Sequence, residues 1–327
     1  MNNIFPLQKN SLLFAPMEGI TDEAYRLAVM KTFPEWDLFS TDFLRVPTEG
    51  SFSNKFILEH FGKTAYSNQT LRNKTAFQIL ANEKGNIPLA CQQIEKLGFK
   101  HLDLNLGCPS KRVNQHLGGA YLLSDLQALQ KIIKEIRANY PHHFTVKMRI
   151  GYRDDSNFID CIKLFEYEGV DAITIHGRTR DQLYKGVADW KYIKMATKAT
   201  SVPIIGNGDI WTVSDIESIF DYTKCHSIML GRGALKTPWL ATLFKMKNRY
   251  TEEELFEDRK KKIPLYFLSL KEEYSKKCSQ DALILKRFKS FSRNIFDDFP
   301  QNEMVKRKFM RSKSLEEFEE LLDFFCK

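Results

Sequence analysis

The run His101-Leu102-Asp103-Leu104-Asn105-Leu106, followed by Gly107-Cys108-Pro109-Ser110-Lys111, decides how this chain of 327 residues is read. A largely apolar stretch stops at a glycine, presents a single cysteine and is broken by a proline. That pattern predicts a buried strand ending in a loop that carries a lone thiol. Seven further short apolar runs lie at 12–17, 37–43, 76–80, 144–150, 172–176, 203–207 and 227–230. Amphipathic helical patterns, among them 86–97, 124–139, 156–168 and 212–222, alternate with the runs. Eight β units, most followed by a helix, is the count of an α/β protein of the (β/α)8 TIM-barrel class. A doubly wound sheet would show fewer strands and a Gly-x-Gly-x-x-Gly turn near the start, and the chain has no such turn.

Barrels of this class build their sites from the loops that follow the strands. Here the strand ends read Pro16-Met17-Glu18-Gly19, Asp42-Phe43, Gln78, Asn105 with Cys108, Lys147 with Arg149, His176-Gly177-Arg178-Thr179, Asn207-Gly208-Asp209 and Gly231-Arg232-Gly233. Any one of them is ordinary loop polarity. Eight in succession point to a single pocket. The last two follow strands seven and eight, where glycines let backbone N–H groups approach phosphate oxygens. Lys147 and His176 would add side-chain donors. A cofactor with a phosphate tail and a ring over the barrel mouth fits, and flavin mononucleotide (FMN) is the natural candidate.

Composition bounds the rest. Hydrophobic residues make up 43% and charged residues 28%, as in ordinary globular proteins. Residues 1–10 lack the apolar core of a signal peptide, and no stretch reaches the roughly 18 apolar residues of a membrane span, so a cytoplasmic protein away from membranes is expected. The six cysteines include no C-x-x-C pair, which argues against a disulfide framework or a metal site. Cys91, Cys161 and Cys278 fall in or beside helical patterns and read as small buried apolar residues. The net charge of +8 suits a polyanionic partner, although a lysine-rich solvated surface explains it about equally well.

Six motifs together resemble the tRNA-dihydrouridine synthase family. They are Ala15-Pro16-Met17-Glu18-Gly19, Asp103-Leu104-Asn105 with Gly107-Cys108-Pro109, Val146-Lys147-Met148-Arg149, His176-Gly177-Arg178-Thr179, Asn207-Gly208-Asp209-Ile210 and Gly231-Arg232-Gly233. They stand in the family's order across residues 12–240, with Ala81 where the family often has glycine. The resemblance implies reduction of a uracil base in tRNA by FMN recharged by NADPH. It places FMN on Pro16, Met17, Glu18, Gln78, Lys147, His176, Asn207, Gly208, Asp209, Gly231 and Arg232. It makes Cys108 the acid that protonates C5 of the base, with Asn105 and Arg178 facing the substrate. A thiol with a pKa near about 8.5 is a suitable donor at neutral pH. Glu18, residues 42–46 and Ile210-Trp211 look most like the bacterial C-type branch, which acts on position 16 of the D-loop. The target base would have to swing out of the folded tRNA. Two other readings stay open at this stage, a phosphate-binding lyase or isomerase barrel without flavin and an RNA-binding protein without catalysis.

Strand signals cease after residue 240. Helical patterns follow at 252–261, 264–276, 282–294, 301–310 and 314–325, so residues 1–240 are expected to form the FMN-binding barrel and 241–327 a small helical bundle that binds tRNA. The tail holds 20 Lys and Arg against 16 Asp and Glu. Lys286-Arg287-Phe288-Lys289 with Arg293, and Lys306-Arg307-Lys308 with Arg311 and Lys313, mix basic and aromatic residues as a phosphate-backbone surface does. Lys286 and Arg287 are the expected contacts. The plainer reading packs Phe288, Phe291 and Phe309 inside the bundle and leaves the charges merely solvated. A single chain acting as a monomer is expected.

Overall fold

The computed structural model describes residues 7–277, 280–297, 299 and 302–326. Its strands are β1 (Leu12–Phe14), β2 (Phe39–Ser40), β3 (Leu44–Arg45), β4 (Thr75–Leu80), β5 (His101–Leu106), β6 (His143–Arg149), β7 (Ala172–His176), β8 (Ile204–Asn207) and β9 (Ser227–Leu230). Every pairing is parallel, in the order β1-β9-β8-β7-β6-β5-β4-β2. The remaining gap is bridged by Leu13 against Leu38, where Phe14 N–H donates to Leu38 O at 2.8 Å and Asp37 N–H to Leu12 O at 3.0 Å. The ring is thereby closed, and the architecture is the (β/α)8 TIM-type barrel.

The expected second run, 37–43, is not one strand. β2 and β3 both pair with β4, on either side of a break at Thr41–Phe43. At the break the N–H of Gln78 donates to the Thr41 hydroxyl at 2.9 Å instead of to a carbonyl, and the Asp42 carboxylate accepts the N–H of Gly19 at 3.0 Å. Side chains take over the ladder's bonds there, so the chain can turn away from the sheet.

Side chains alternate across each strand. One set fills the barrel interior, where Leu13, Ala15, Leu38, Ala76, Ala172, Ile205 and Met229 form one cluster. The other set meets the surrounding helices. Helix Ile87–Lys96 buries Ile87, Ala90, Cys91 and Ile94, and helix Leu126–Asn139 buries Leu129, Ile132, Ile133 and Ile136. Helix Phe158–Tyr167 buries Phe158, Cys161, Ile162 and Phe165. Cys91 and Cys161 are thus core residues, whereas Cys278 lies outside the described residues.

Two compact units emerge. The first comprises residues 1–19, Asp37–Ile210 and Ser214–Gly231, and contains the barrel. The second comprises Ile20–Trp36, Trp211–Val213 and Arg232–Lys327. It therefore begins ahead of residue 241 and takes in helix Glu23–Thr32, which follows β1 in the chain. Within it the Trp36 indole donates to Pro238 O at 2.7 Å, and Thr242 donates to the Glu35 carboxylate at 2.7 Å. Its longest helix, Glu252–Ser275, runs unbroken through Pro264, where the sequence pattern predicts two helices. Proline removes one helical hydrogen bond. Burial of Ile263, Tyr266, Phe267 and Leu270 on both sides of it outweighs that loss. Phe267, Phe288, Phe309 and Phe318 pack together with ring centroids 4.9–5.3 Å apart from one ring to the next.

In the first unit, Arg137 ties the start of β6 to the start of β7. Its guanidinium donates to Asp171 at 3.0 Å, to His142 O at 2.6 Å and to Tyr140 O, while Asp171 also accepts the Phe144 N–H at 2.7 Å. Arg137→Ala strands a carboxylate whose side chain is only 6% exposed. The guanidinium itself is partly open, so the expected loss is about 2 kcal/mol, less than for a fully buried pair. Urea denaturation of the variant measures it.

Candidate active site

Polar side chains occupy the inward positions of three adjoining strands. Gln78 on β4 stands in register with Asp103 on β5, and Asn105 on β5 with Lys147 on β6. Asp103 is buried and accepts two hydrogen bonds, from the Thr145 hydroxyl at 2.6 Å and from Gln78 Nε2 at 2.7 Å. Gln78 Oε1 in turn accepts from Asn105 Nδ2 at 2.8 Å. Asn105 Oδ1 accepts the backbone N–H groups of Gly107 at 3.0 Å and Cys108 at 2.9 Å. His101 Nε2 lies 3.0 Å from the Thr145 hydroxyl. Burial pushes the Asp103 carboxyl up to about 6, opposed by the Thr145 and Gln78 hydrogen bonds and by the Lys147 charge. Burial likewise pushes His101 down to about 3, so it stays neutral.

The Cys108 loop is held from both sides. Asn105 caps its N–H groups, while Asn114 Nδ2 donates to Cys108 O at 3.1 Å and to Ser110 O at 2.6 Å. Arg149 Nε donates to Gly107 O at 3.0 Å. The Cys108 side chain, 8% exposed, packs with Leu80, Val113 and Phe43. Burial raises its pKa. The backbone N–H of Ser110 opposes this, nearby Glu18 reinforces it, and Arg45 and Arg149 pull the other way. The group is a thiol at neutral pH.

Lys147, on β6, is half-buried. Burial lowers its ammonium to about 8, aided by the Arg149 charge and opposed by Asp103. Its Nζ reaches Asn207 Oδ1 only at 3.5 Å, the edge of a hydrogen bond, which leaves it donors for a ligand. Asn207 Nδ2 donates to Met229 O at 2.6 Å. His176 is the register partner of Asn207 on the adjoining strand. A Cβ at Gly208 would stand 2.6 Å from Ala188 Cβ and 2.9 Å from the His176 ring, and its φ of +119° excludes other residues. Pro16 and Met17 are half-buried and Glu18 is exposed. Gly231 has only Ala15 and Met17 near its missing Cβ, at 3.7 and 3.9 Å. An ammonium, an imidazole, a carboxamide and bare glycine backbone make a donor set suited to a polar planar ring with a phosphate tail.

Several residues are placed differently from the sequence expectation. Arg178, expected to face the substrate, is turned into the protein. It is 1% exposed, its guanidinium pairs with both oxygens of Asp209 at 2.6 and 3.1 Å, and it also donates to Lys185 O and Gly186 O. Its work is to fold the loop after β7, and the Asp209 carboxylate is spent on the same task, accepting the Ala188 N–H as well. Gln78 is wholly buried with both ends of its amide bonded to Asp103 and Asn105. Asn105 secures the thiol loop. Arg232 opens helix Arg232–Lys236 in the second unit, with its guanidinium 5.0 Å from the Trp211 ring. In that unit Lys286 is exposed, whereas Arg287 is half-buried, 3.9 Å from the Asp22 carboxylate and over Tyr274. Phe288, Phe291 and Phe309 are buried and cannot stack on bases. Asp103 enters the sequence reading only as part of a motif and is given no role there, nor are Thr145, His101 and Asn114. The signal for Asp103 was its place two residues before Asn105, on the same face of one strand.

A closed parallel barrel with a thiol loop, an ammonium and an imidazole at its strand ends is the architecture of an enzyme. The chain matches the family model described as dihydrouridine synthase over residues 13–327. It is 32% identical over 243 residues to a tRNA-dihydrouridine(16) synthase of Neisseria meningitidis serogroup B, covering 73% of this chain and 72% of the relative. It is 36% identical over 234 residues to the Cupriavidus necator protein of the same name, covering 70% and 72%. A tRNA-dihydrouridine synthase B of Pasteurella multocida is 34% identical over 238 residues, covering 71% and 68%. Among solved structures, the old yellow enzyme homologue of Zymomonas mobilis shares the fold at a TM-score of 0.53 and 12% identity, covering 76% of this chain and 93% of that one. The chain belongs to the dihydrouridine synthase family, whose members are flavin-dependent oxidoreductases.

Because burial disfavours the thiolate, Cys108 alkylation by iodoacetamide should be slow at neutral pH. Its rate should rise with a midpoint above the ordinary thiol value of about 8.5. Peptide mass spectrometry across a pH series reads it, and a midpoint well below that value would identify a nucleophilic thiolate instead of an acid.

Proposed function

We propose that this chain reduces the C5–C6 double bond of a uridine in tRNA, with FMN as its flavin, NADPH as electron donor and Cys108 as proton donor. The observation that carries the reading is a neutral thiol fixed by Asn105 and Asn114 at the end of β5, one strand away from the Lys147 ammonium. The flavin, when bound, supplies a hydride to C6 of the base. The protein's part is to place the base and complete the reduction. Cys108 holds its proton because burial keeps the thiol neutral, and it delivers that proton to C5 as negative charge develops there. Lys147, His176, Asn207, Gly208 and Gly231 would hold the cofactor, with Pro16 and Met17 against it. Position 16 is supported by the names of the Neisseria and Cupriavidus relatives. The chain acts as a monomer in the cytoplasm, and no described helix is long and apolar enough to cross a membrane.

Cys108→Ala should keep flavin absorption and NADPH oxidation while dihydrouridine formation falls by about 10²–10⁴-fold. Mass spectrometry of tRNA treated with each enzyme measures the product and its position. Near-normal product from the variant would remove Cys108 from the mechanism, and product at another position would reject the assignment to 16.

The second unit would bind the phosphate backbone. Lys286 and Lys289 lie three residues apart on helix Asp281–Ile295, with Lys286 exposed and Lys289 half-buried, while the aromatic residues point inward. Of the second cluster, Lys306 pairs with Asp297, while Arg307 and Arg311 are exposed. Charge reversal at Lys286 and Lys289 together should weaken tRNA binding. It should lower the slope of log K against log salt by about 0.7–0.9 for each phosphate that is no longer neutralised. Binding titrations at three salt concentrations supply the slope, and an unchanged value would mark this face as merely solvated.

A further inference from the structure

Two side chains in series, Gln78 and Asn105, separate the buried charge of Asp103 from the thiol loop, and each can bond in only one direction once that charge is present. An ionised carboxylate is acceptor-only. Asp103 therefore requires the amide nitrogen of Gln78, which turns the Gln78 oxygen to Asn105. Asn105 must answer with its own nitrogen, which turns its oxygen to the N–H groups of Gly107 and Cys108. The second Asp103 oxygen takes the Thr145 hydroxyl, so Thr145 accepts from His101 Nε2–H. Asp103 touches no part of the loop itself.

We infer that Asp103 is a positioning residue whose charge fixes the direction of the Gln78–Asn105 amide chain and thereby holds the Cys108 loop in its capped form. A neutral amide at position 103 would remove the constraint. Its nitrogen could donate to Gln78 Oε1, Gln78 Nε2 would then donate to Asn105 Oδ1, and Asn105 Nδ2 would face two backbone N–H donors. In that arrangement the loop has no cap, and the capped arrangement is no longer the only one that the buried group at 103 allows. Thr145 and His101 can adapt to either arrangement by exchanging donor and acceptor roles, so apart from Asp103 only the two loop N–H groups on Asn105 Oδ1 favour this direction. The consequence for proton delivery rests on the function proposed above, while the structural link does not.

The test is a double-mutant cycle with Asp103→Asn and Asn105→Ala in the flavin-loaded protein, read by Cys108 alkylation at neutral pH and by dihydrouridine formation. Each single change is expected to speed alkylation several-fold and to slow product formation by roughly 10-fold, the upper worth of a neutral hydrogen bond such as those that cap the loop. The double variant should match Asn105→Ala alone in both readouts. Effects that multiply would overturn the inference, and so would an Asp103→Asn protein with wild-type alkylation. An influence of Asp103 through the Lys147 charge would also persist in the Asn105→Ala background and count against it. Gln78→Glu guards against loss of folding in Asp103→Asn. Two adjoining carboxyls share one proton, so the introduced carboxyl can donate to Asp103 and accept from Asn105 as the glutamine amide does. This variant should keep alkylation near wild type, and alkylation as fast as in Asn105→Ala would contradict the relay. If the wild-type protein forms no dihydrouridine, the proposed function fails while the alkylation cycle still decides the relay.

Discussion

A carboxylate enclosed in a parallel barrel has to find its donors inside that barrel, and Asp103 finds them on both neighbouring strands. The bonds cross from β4 to β5 and from β5 to β6, so the network also links side chains of three strands at the end where the thiol loop leaves. Most inward positions of such a barrel are filled by branched apolar side chains, as Ile205 and Leu13 do on the far side. The interior of this one is divided between an apolar half and a polar half. Lys147, Arg149, Asn105 and Gln78 all stand on the polar half, and of the groups proposed to act on ligand Lys147 and Cys108 grow out of it.

Holding that charge is costly. The carboxyl of Asp103 is raised to about 6 from an ordinary value of 3.8. A raised acid pKa means that the folded protein binds more protons than the unfolded chain between those values, so stability declines as pH climbs through the window from about 4 to 6. Above it the ionised group costs about 3 kcal/mol relative to a freely solvated acid. An apolar residue would remove that cost, and Ala76 and Ala172 at inward positions of β4 and β7 show that the barrel interior accepts such residues. A polar group that weakens the fold and organises a reactive loop belongs to function more than to stability.

The barrel was legible because period-2 apolar runs and their breakers are local signals. β5, β7 and β9 occupy the same residues as the runs that predicted them. Where side chains replaced backbone partners, as Thr41 and Asp42 do, the pattern could not foretell the break between β2 and β3. Pro264 misled for the converse reason, since a local breaker was overruled by burial on both sides of it. The site was legible as a set of strand ends and much less so as a set of roles. Nothing in the order His-Gly-Arg-Thr reveals that Arg178 folds back onto Asp209, thirty-one residues later, because that pairing depends on how two loops pack.

The same distinction explains the tail. Basic and aromatic residues that alternate along a helix are separated by its geometry, and the rings of Phe288 and Phe309 enter the core while Lys286 and Arg307 stay outside. The aromatic residues of these two clusters therefore carry stability, and the RNA contact proposed for the clusters falls to their charges. Charges without stacking partners bind phosphate wherever it lies and read no sequence. On the function proposed here, selection of one uridine would then fall to the barrel, where an unstacked base can be enclosed, and these basic clusters would contribute affinity and orientation. A protein divided in this way would lose affinity without losing its preferred position when the tail's charge is reduced, and would lose turnover without losing affinity when the thiol is removed.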